Sequence, residues 1–282
     1  MKTLLALRKE IETALKNASI EEAEIDTRLL ISHALNLTAI DYAIDGDRLV
    51  KDSDYNKIIT LRDQRCSRIP MSQIFGEKEF WSLNFKVTSD TLTPRPDSET
   101  LIEAALKEIP ERNKELRILD MGTGTGCLLL TLLSELPKAT GLGTDISDKA
   151  LKVAIENAQS LNLASRAEFR ISNWWDNLRE AEKFDVIISN PPYIGLKEKP
   201  GLSPEVKDHE PAEALFSGPD GLDDYQKISQ QLNDHLKQGG IFIVEIGYTQ
   251  AANVKEIFTS AGFNNISLHK DLAARNRCLI IK

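Results

Sequence analysis

Two short stretches of the chain carry residue types that could do chemistry. The first, Asn190–Pro191–Pro192–Tyr193, presents a side-chain amide, two residues without a backbone N–H, and an aromatic ring. It offers acceptors and a π face but no nucleophile and no general base. That set suits a planar, conjugated amino group, whose nitrogen must become tetrahedral and transiently positive as it is alkylated. The ~18–20 kcal/mol rotation barrier of an amide shows how strongly delocalisation resists this change. Two acceptors on the N–H groups favour it, each worth roughly 1.5–3 kcal/mol once charge develops. The Asn190 side-chain oxygen and the Pro191 carbonyl can supply them, and Pro191 biases Asn190 towards an extended backbone. Taken alone, the tetrapeptide also fits a plain Asn-Pro-Pro turn.

The second stretch is Gly122–Thr123–Gly124–Thr125–Gly126, set between the strand-like RILDMG (117–122) and an apolar helical run. Glycines let a ligand approach the backbone closely, and a helix start offers free N–H groups. Asp145 follows Gly126 by 19 residues at the end of the next strand, TGLGTDIS (140–147). At that spacing a carboxylate can accept both hydroxyls of a ribose. The pattern fits a nicotinamide dehydrogenase, a methyltransferase, or a glycine turn without a ligand. The tetrapeptide decides among these, because it directly follows the strand FDVIIS (184–189). In a doubly wound sheet both loops then open onto one crevice, and a dehydrogenase has no use for Asn-Pro-Pro-Tyr.

The elements that must position these loops are legible as periods. Leu4, Leu7, Ile11 and Leu15 recur at helical spacing, and Ser19 with Glu22 has capping-box spacing before Leu29, Leu30, Ala34 and Leu37. Tyr55, Ile58, Ile59, Arg62 and Cys66 give a third helix, so residues 1–76 read as a small helical bundle. From Trp81 to Val87 apolar and polar residues alternate as in a strand, and the diproline segment after it ends at Ser98, a candidate cap for the next helix. Beyond it strands and helices alternate, including AEFRIS (167–172), IFIVEIG (241–247), NISLHKD and RCLIIK, with a helix from about Asp223 stopped at Gly239–Gly240. Apolar strands separated by helices imply a parallel sheet covered on both faces, with one of the closely spaced last two strands antiparallel.

Composition narrows the field. The chain of 282 residues, 41% apolar and 28% charged, reads as soluble, and its longest apolar run falls far short of the ~20 residues of a membrane span. The start, MKTLLALRKE, is too short in apolar length for a signal peptide, which points to the cytoplasm. Cys66, Cys127 and Cys278 are scattered and read as reduced thiols, and no cysteine or histidine spacing suggests a metal. A net charge of −8 gives little general attraction to nucleic acid.

Together the glycine turn, Asp145 and Asn-Pro-Pro-Tyr resemble a class I S-adenosylmethionine-dependent methyltransferase of the amino-methylating type. Gly76–Glu77–Lys78–Glu79–Phe80, Pro94–Arg95–Pro96–Asp97–Ser98–Glu99, the run EPAEALFSGPDGLDDY (210–225), and the tail from Glu245–Ile246–Gly247 through Asp271 to Arg277 narrow this to the peptide chain release factor glutamine methyltransferases (the PrmC/HemK family). The resemblance covers nearly the whole chain. It implies an α/β fold: a Rossmann-like, seven-stranded, mostly parallel sheet preceded by a small N-terminal helical bundle. It also implies a helical substrate-recognition domain over 1–76, a β-hairpin linker over 77–97 and a methyltransferase domain over 98–282. The expected reaction is in-line methyl transfer from S-adenosylmethionine to the glutamine amide of the Gly-Gly-Gln loop of release factors, helped mainly by positioning, which can supply ~7–11 kcal/mol.

Carried over residue by residue, the resemblance assigns Gly122, Thr123, Gly124, Thr125, Gly126, Asp145, Asn173, Trp174 and Asn190 to the cofactor. It assigns Asn190, Pro191, Pro192 and Tyr193 to the substrate amide, with Asn190, Pro191 and Tyr193 catalytic, and no metal. Ser172–Asn173 stands where the family usually has Gly-Asp, Ser72–Gln73 where it often has Gln-Tyr, and Ser217 and Gln226 also depart from common choices. A ribosomal-protein glutamine methyltransferase would present the same site. A DNA adenine amino-methyltransferase must flip a base and hold a duplex, which the net charge and the lack of a recognition insert disfavour. A non-catalytic release-factor-binding protein would not need the intact tetrapeptide.

Overall fold

In the computed structural model, which describes all 282 residues, the chain forms two compact units: residues 1–76 with 203–209, and residues 77–202 with 210–282. In the first unit β1 (Lys2–Thr3) pairs antiparallel with β2 (Leu49–Val50), and Thr3 caps α1 (Leu4–Asn17) by accepting from Ala6 N at 3.3 Å. Helices α2 (Ala23–Leu35), α3 (Ala39–Ile44), α4 (Asp52–Cys66) and α5 (Met71–Phe75) follow. Leu4, Leu7, Ile11 and Leu15 bury one stripe of α1 against Leu30, Ile31 and Ile58. Two expectations fail here. Ser19 takes a left-handed φ of 58° instead of capping, and α2 begins after Glu22 with no side-chain cap. Leu29 lies on the solvent side, 39% exposed.

The sequence pattern gave no sign that residues 203–209 join this unit. They contain α9 (Pro204–His209), whose Glu205 bridges Arg65 at 2.8 Å and Arg68 at 2.9 Å. Arg65 is largely buried and also pairs with Asp26 at 2.7 Å. A buried guanidinium must find such partners, because leaving one uncompensated costs several kcal/mol, about 3–5.

The second unit opens with a hairpin, β3 (Glu77–Phe80) and β4 (Leu83–Lys86). Trp81 is not its first strand residue but its turn: Trp81 and Ser82 have φ of 53° and 61°. Phe80 and Phe85 are buried, so the period is correct from Leu83 onward. A 3₁₀ turn at Pro96–Ser98 leads into α6 (Glu99–Glu108). Then come β5 (Arg117–Met121), α7 (Cys127–Glu135), β6 (Thr140–Asp145), α8 (Asp148–Ser160), β7 (Ala167–Ile171) and β8 (Phe184–Ser189). After α9, which belongs to the first unit, come α10 (Asp223–His235), β9 (Leu236–Glu245), α11 (Ala251–Ser260), β10 (Ile266–Lys270) and β11 (Asn276–Ile281). Helix α10 stops at His235, ahead of the expected glycine pair. Gly239 and Gly240 instead fall where β9 shifts register against β8, between the pairs Phe184–Leu236 and Val186–Ile241.

Seven strands form one sheet in the order β10-β11-β9-β8-β5-β6-β7, parallel from β9 to β7, with β11 antiparallel to both neighbours. Both faces are covered. Ile118, Val186, Ile188 and Ile243 point to one core with α6 and α7, whereas Leu119, Ile187, Phe242 and Val244 point to the other with α10 and α11. This is why the strands read as continuous apolar runs. The chain winds outward one way through β5, β6 and β7 and the other way through β8 and β9. The reversal lies between β5 and β8, where Met121 pairs with Ser189. Truncating Ile243, fully buried in the interior strand β9, tests how tightly this core packs. Ile243→Ala should destabilise the second unit by ~2–5 kcal/mol, read as a lower denaturant midpoint at unchanged slope.

Candidate active site

Both chemistry-bearing loops leave the sheet at this reversal. After Met121 the chain turns back on itself: Gly122 N and Thr123 N both donate to Thr144 O, at 2.9 and 2.8 Å. Asp120, fully buried, braces the turn by accepting from Thr123 Oγ1 at 2.6 Å and from Leu129 N at 3.3 Å. Burial pushes the Asp120 carboxyl up to about 7 against these two bonds, and the nearby Asp145 adds to the rise. Gly126, at φ 80°, admits no side chain without crowding: a Cβ would meet Leu130 at 3.1 Å and Ala154 at 3.3 Å.

Asp145 ends β6 with one oxygen accepting from Gly124 N and the other from Ser147 N, both at 2.9 Å. Burial raises its carboxyl pKa, and the backbone N–H bonds oppose that rise. Trp174, at φ 51°, lays its ring beside Gly122 and donates Nε1–H to Asp224 Oδ1 at 3.0 Å. Gly122, Gly124, Asp145, Asn173, Trp174, Asn190 and Pro192 line one cavity of about 280 Å³, joined by Asp90, Thr91, Leu92, Glu213, Phe216 and Lys227. Thr123, Thr125 and Gly126 do not reach it. The two threonines are buried, with Thr125 O accepting from Asn157 Nδ2 at 2.9 Å.

The tetrapeptide leaves β8 beside this cavity, held by Ser189 Oγ–H donating to Met121 O at 2.7 Å. Asn190 donates Nδ2–H to Ser98 Oγ at 3.2 Å, so its Oδ1 is the end turned away from Ser98. Tyr193 lies on the far side, in a second cavity of about 410 Å³ with Arg95, Asp97, Glu198, Glu245, Tyr248, Gln250 and Arg277. Its hydroxyl donates to Glu245 Oε1 at 3.3 Å. Pro191 is buried and lines neither cavity. The loop is clamped from below: Gln250 Nε2 donates to Tyr193 O at 2.9 Å, and Ile194 bonds through its backbone to Leu215 and Ser217. Gly221, at φ 76°, passes so close that a Cβ would sit 2.1 Å from Tyr193 O.

Four residues of this site escaped the sequence reading as site residues. Ser98 does not cap α6; its hydroxyl reaches Glu245 at 2.5 Å instead. Glu245, Asp224 and Gly221 stood within recognisable segments but had no local period or spacing to give them roles.

A seven-stranded sheet of this order, with a glycine turn and an acid on adjacent strand ends, defines a class I methyltransferase domain. A profile described as "Methyltransferase domain" matches residues 112–275, and one described as "PrmC N-terminal domain" matches residues 6–76. The release factor glutamine methyltransferase of Caulobacter vibrioides is 39% identical over 281 residues, 99% of this chain and 96% of that protein. That of Cereibacter sphaeroides is 41% identical over 277 residues, 98% of this chain and 97% of that protein. A methyltransferase structure from Pyrococcus furiosus shares the fold, with a TM-score of 0.53 at 19% identity over 78% of this chain and 98% of that one. The chain belongs to the release factor glutamine methyltransferase family. Because Gly221 supports the tetrapeptide directly, Gly221→Ala should cost roughly 1–3 kcal/mol of stability by overpacking against the Tyr193 carbonyl, measurable by chemical denaturation.

Proposed function

We propose that this chain transfers the methyl group of S-adenosylmethionine to the side-chain amide nitrogen of the glutamine in the Gly-Gly-Gln motif of peptide chain release factors. The observation that carries this reading is that the tetrapeptide borders two cavities. Asn190 and Pro192 line the cavity of the glycine turn and Asp145, and Tyr193 lines the other. A donor held in the first cavity and an amide held against Tyr193 would meet along the tetrapeptide.

The residues of the first cavity fit the cofactor. Gly122 and Gly124 leave an open cradle, where nothing but the Trp174 ring lies within 4 Å of an added Cβ. Asp145 can take both ribose hydroxyls, and Trp174 with Asn173 can flank the adenine. When bound, S-adenosylmethionine supplies an electrophilic sulfonium methyl. Thr123, Thr125 and Gly126 serve the shape of the turn. Asn190 Oδ1 and the Pro191 carbonyl accept the two N–H groups of the amide, Pro192 brings no competing donor, and the Tyr193 ring covers the amide face.

Residues 1–76 would then serve as the recognition domain for the release factor, 77–97 as the linker and 98–282 as the catalytic domain. No helix is long and apolar enough to cross a membrane, and we place the reaction in the cytoplasm with no specific nucleic-acid partner. The test is to incubate the enzyme with labelled cofactor, a release factor and the ribosomal proteins, and to map methylation by mass spectrometry. A single methyl on the Gly-Gly-Gln glutamine is expected; label only on a ribosomal protein would replace the substrate. Asp145→Ala should weaken S-adenosylhomocysteine binding by about 1.5–3 kcal/mol, and unchanged calorimetric affinity would remove Asp145 from the cofactor site.

A further inference from the structure

One buried acid in this unit has no part in the chemistry above. Glu245 ends β9 only 1% exposed, opposite Cys278 of β11. Its carboxylate collects two hydroxyls: Ser98 Oγ–H on Oε2 at 2.5 Å and Tyr193 O–H on Oε1 at 3.3 Å. Ser98 Oγ in turn receives Nδ2–H of Asn190 at 3.2 Å. Asn190, Ser98, Glu245 and Tyr193 therefore form one chain, with the acid in the middle and the two ends in the tetrapeptide.

The direction of this chain follows from what each group can do. An ionised carboxylate only accepts, so the Ser98 proton must point at Glu245. The oxygen of Ser98 then has only lone pairs left for Asn190, which must offer its NH₂ group and turn Oδ1 the opposite way. With a neutral partner in place of the carboxylate the constraint disappears. A donor on that side lets Ser98 turn its own proton towards Asn190, whose amide then gains by flipping and presenting NH₂ to the substrate. A site that needs an acceptor would face a donor. The second arm acts likewise on Tyr193, whose ring orientation is pinned by its hydroxyl.

We propose that Glu245 is a positioning residue: through Ser98 it sets which end of the Asn190 amide faces the substrate, and through the Tyr193 hydroxyl it fixes the ring. The proposal rests on the reading of Asn190 and Tyr193 as the amide site. It separates Glu245 from a merely structural acid, which would tie the start of α6 to β9 and leave the polarity of Asn190 alone.

The surroundings bring the switch into an accessible pH range. Burial pushes the Glu245 carboxyl up to about 7, against the Ser98 bond, Arg277 and the Tyr193 bond, with Asp97 adding to the rise. Arg277 is itself shared with Asp97 at 2.9 Å and Asp271 at 3.3 Å. Tyr225 donates to the Glu245 main-chain oxygen at 3.0 Å. Burial holds the protons of Tyr193, Tyr225, Cys127 and Cys278 on well past this range. Arg95 is the remaining charge facing Tyr193. Asp120 titrates in the same range in the glycine turn, so the test must tell the two carboxyls apart.

Full-length protein labelled with ¹⁵N at asparagine, with the Asn190 side-chain signal assigned by its loss in Asn190→Ala, supplies the direct readout. The Asn190 signal should shift with a midpoint near pH 7 in the wild type, and kcat on a glutamine substrate should rise along the same curve. S-adenosylhomocysteine affinity should be the same in the wild type and in Glu245→Gln at each pH. Glu245→Gln should abolish both titrations and lower kcat by about 100-fold, the cost of a misplaced site group. Ser98→Ala should abolish the shift at Asn190 while Asp120 and Glu245 still titrate, and the double variant should be no worse than Glu245→Gln alone. An Asn190 signal that does not titrate in the wild type, one that keeps titrating in Ser98→Ala, or additive losses in the double variant would overturn the role of Glu245. If Asn190 titrates as stated but no release-factor glutamine is methylated, the positioning role stands and the substrate assignment falls.

Discussion

The parallel pairing of β5 with β8 is the contact on which the rest of the site depends. These two strands are neighbours in the sheet but far apart in sequence, because the chain first winds out through β6 and β7 and then returns to the other side of β5. Their last paired residues, Met121 and Ser189, lie side by side, and Ser189 Oγ–H seals the junction by donating to the Met121 carbonyl. Two loops must then leave the same edge in adjacent positions. One is a glycine turn that folds back and spends its N–H groups on Thr144 O, Asp145 and Thr123 O; the other is Asn190 followed by two prolines that have no N–H. A close-approach glycine turn and a segment whose prolines bring no donor thus meet along one seam.

Holding those walls requires polar groups inside a sheet that is otherwise apolar on both faces. Asp120 and Glu245 are the most deeply buried carboxyls at this edge, and each is committed to one loop: Asp120 to Thr123 and the start of α7, Glu245 to Ser98 and Tyr193. Both are raised to about 7 by burial. A carboxyl whose pKa is raised on folding favours the folded chain while protonated, and that contribution is lost as pH rises through the folded value. At neutral pH and above these groups therefore stabilise the fold less than they do when protonated. What they give in exchange is direction, since a carboxylate dictates which way every neighbouring hydroxyl points.

Local pattern revealed what local physics controls. The alternation and apolar runs of the sheet strands, the α1 stripe and the spacing of Asp145 after the glycine turn are set by neighbours within a few residues, and the corresponding elements are where the pattern puts them. Ser98 shows the limit. Its type and position fit a helix cap, yet its hydroxyl serves a glutamate 147 residues away, and nothing within a helical turn of Ser98 announces that partner. Residues 203–209 are a second case: Glu205 joins the helical unit through Arg65 and Arg68, charges with no periodic relation to it. Trp81 is a third, an aromatic residue in a left-handed turn conformation, where its ring nitrogen can reach Glu135 at 2.8 Å.

Acceptor-lined sites select by what a substrate can donate. Under the proposed reading, a primary amide satisfies both Asn190 Oδ1 and the Pro191 carbonyl with its two N–H groups. A glutamate at the same position has no donor to give and would leave two acceptors facing a carboxylate, an arrangement that costs several kcal/mol in a desolvated site. A hydroxyl offers one proton and leaves the second acceptor bare. A lysine ammonium has donors enough, but its nitrogen carries no lone pair until a base removes a proton, and the tetrapeptide contains no base. The lack of a nucleophile and of a general base among Asn190, Pro191, Pro192 and Tyr193 is therefore not a deficiency of the site. It restricts the reaction to a neutral nitrogen that already has its lone pair, and leaves the orientation of one asparagine amide as the feature that the surrounding structure has to secure.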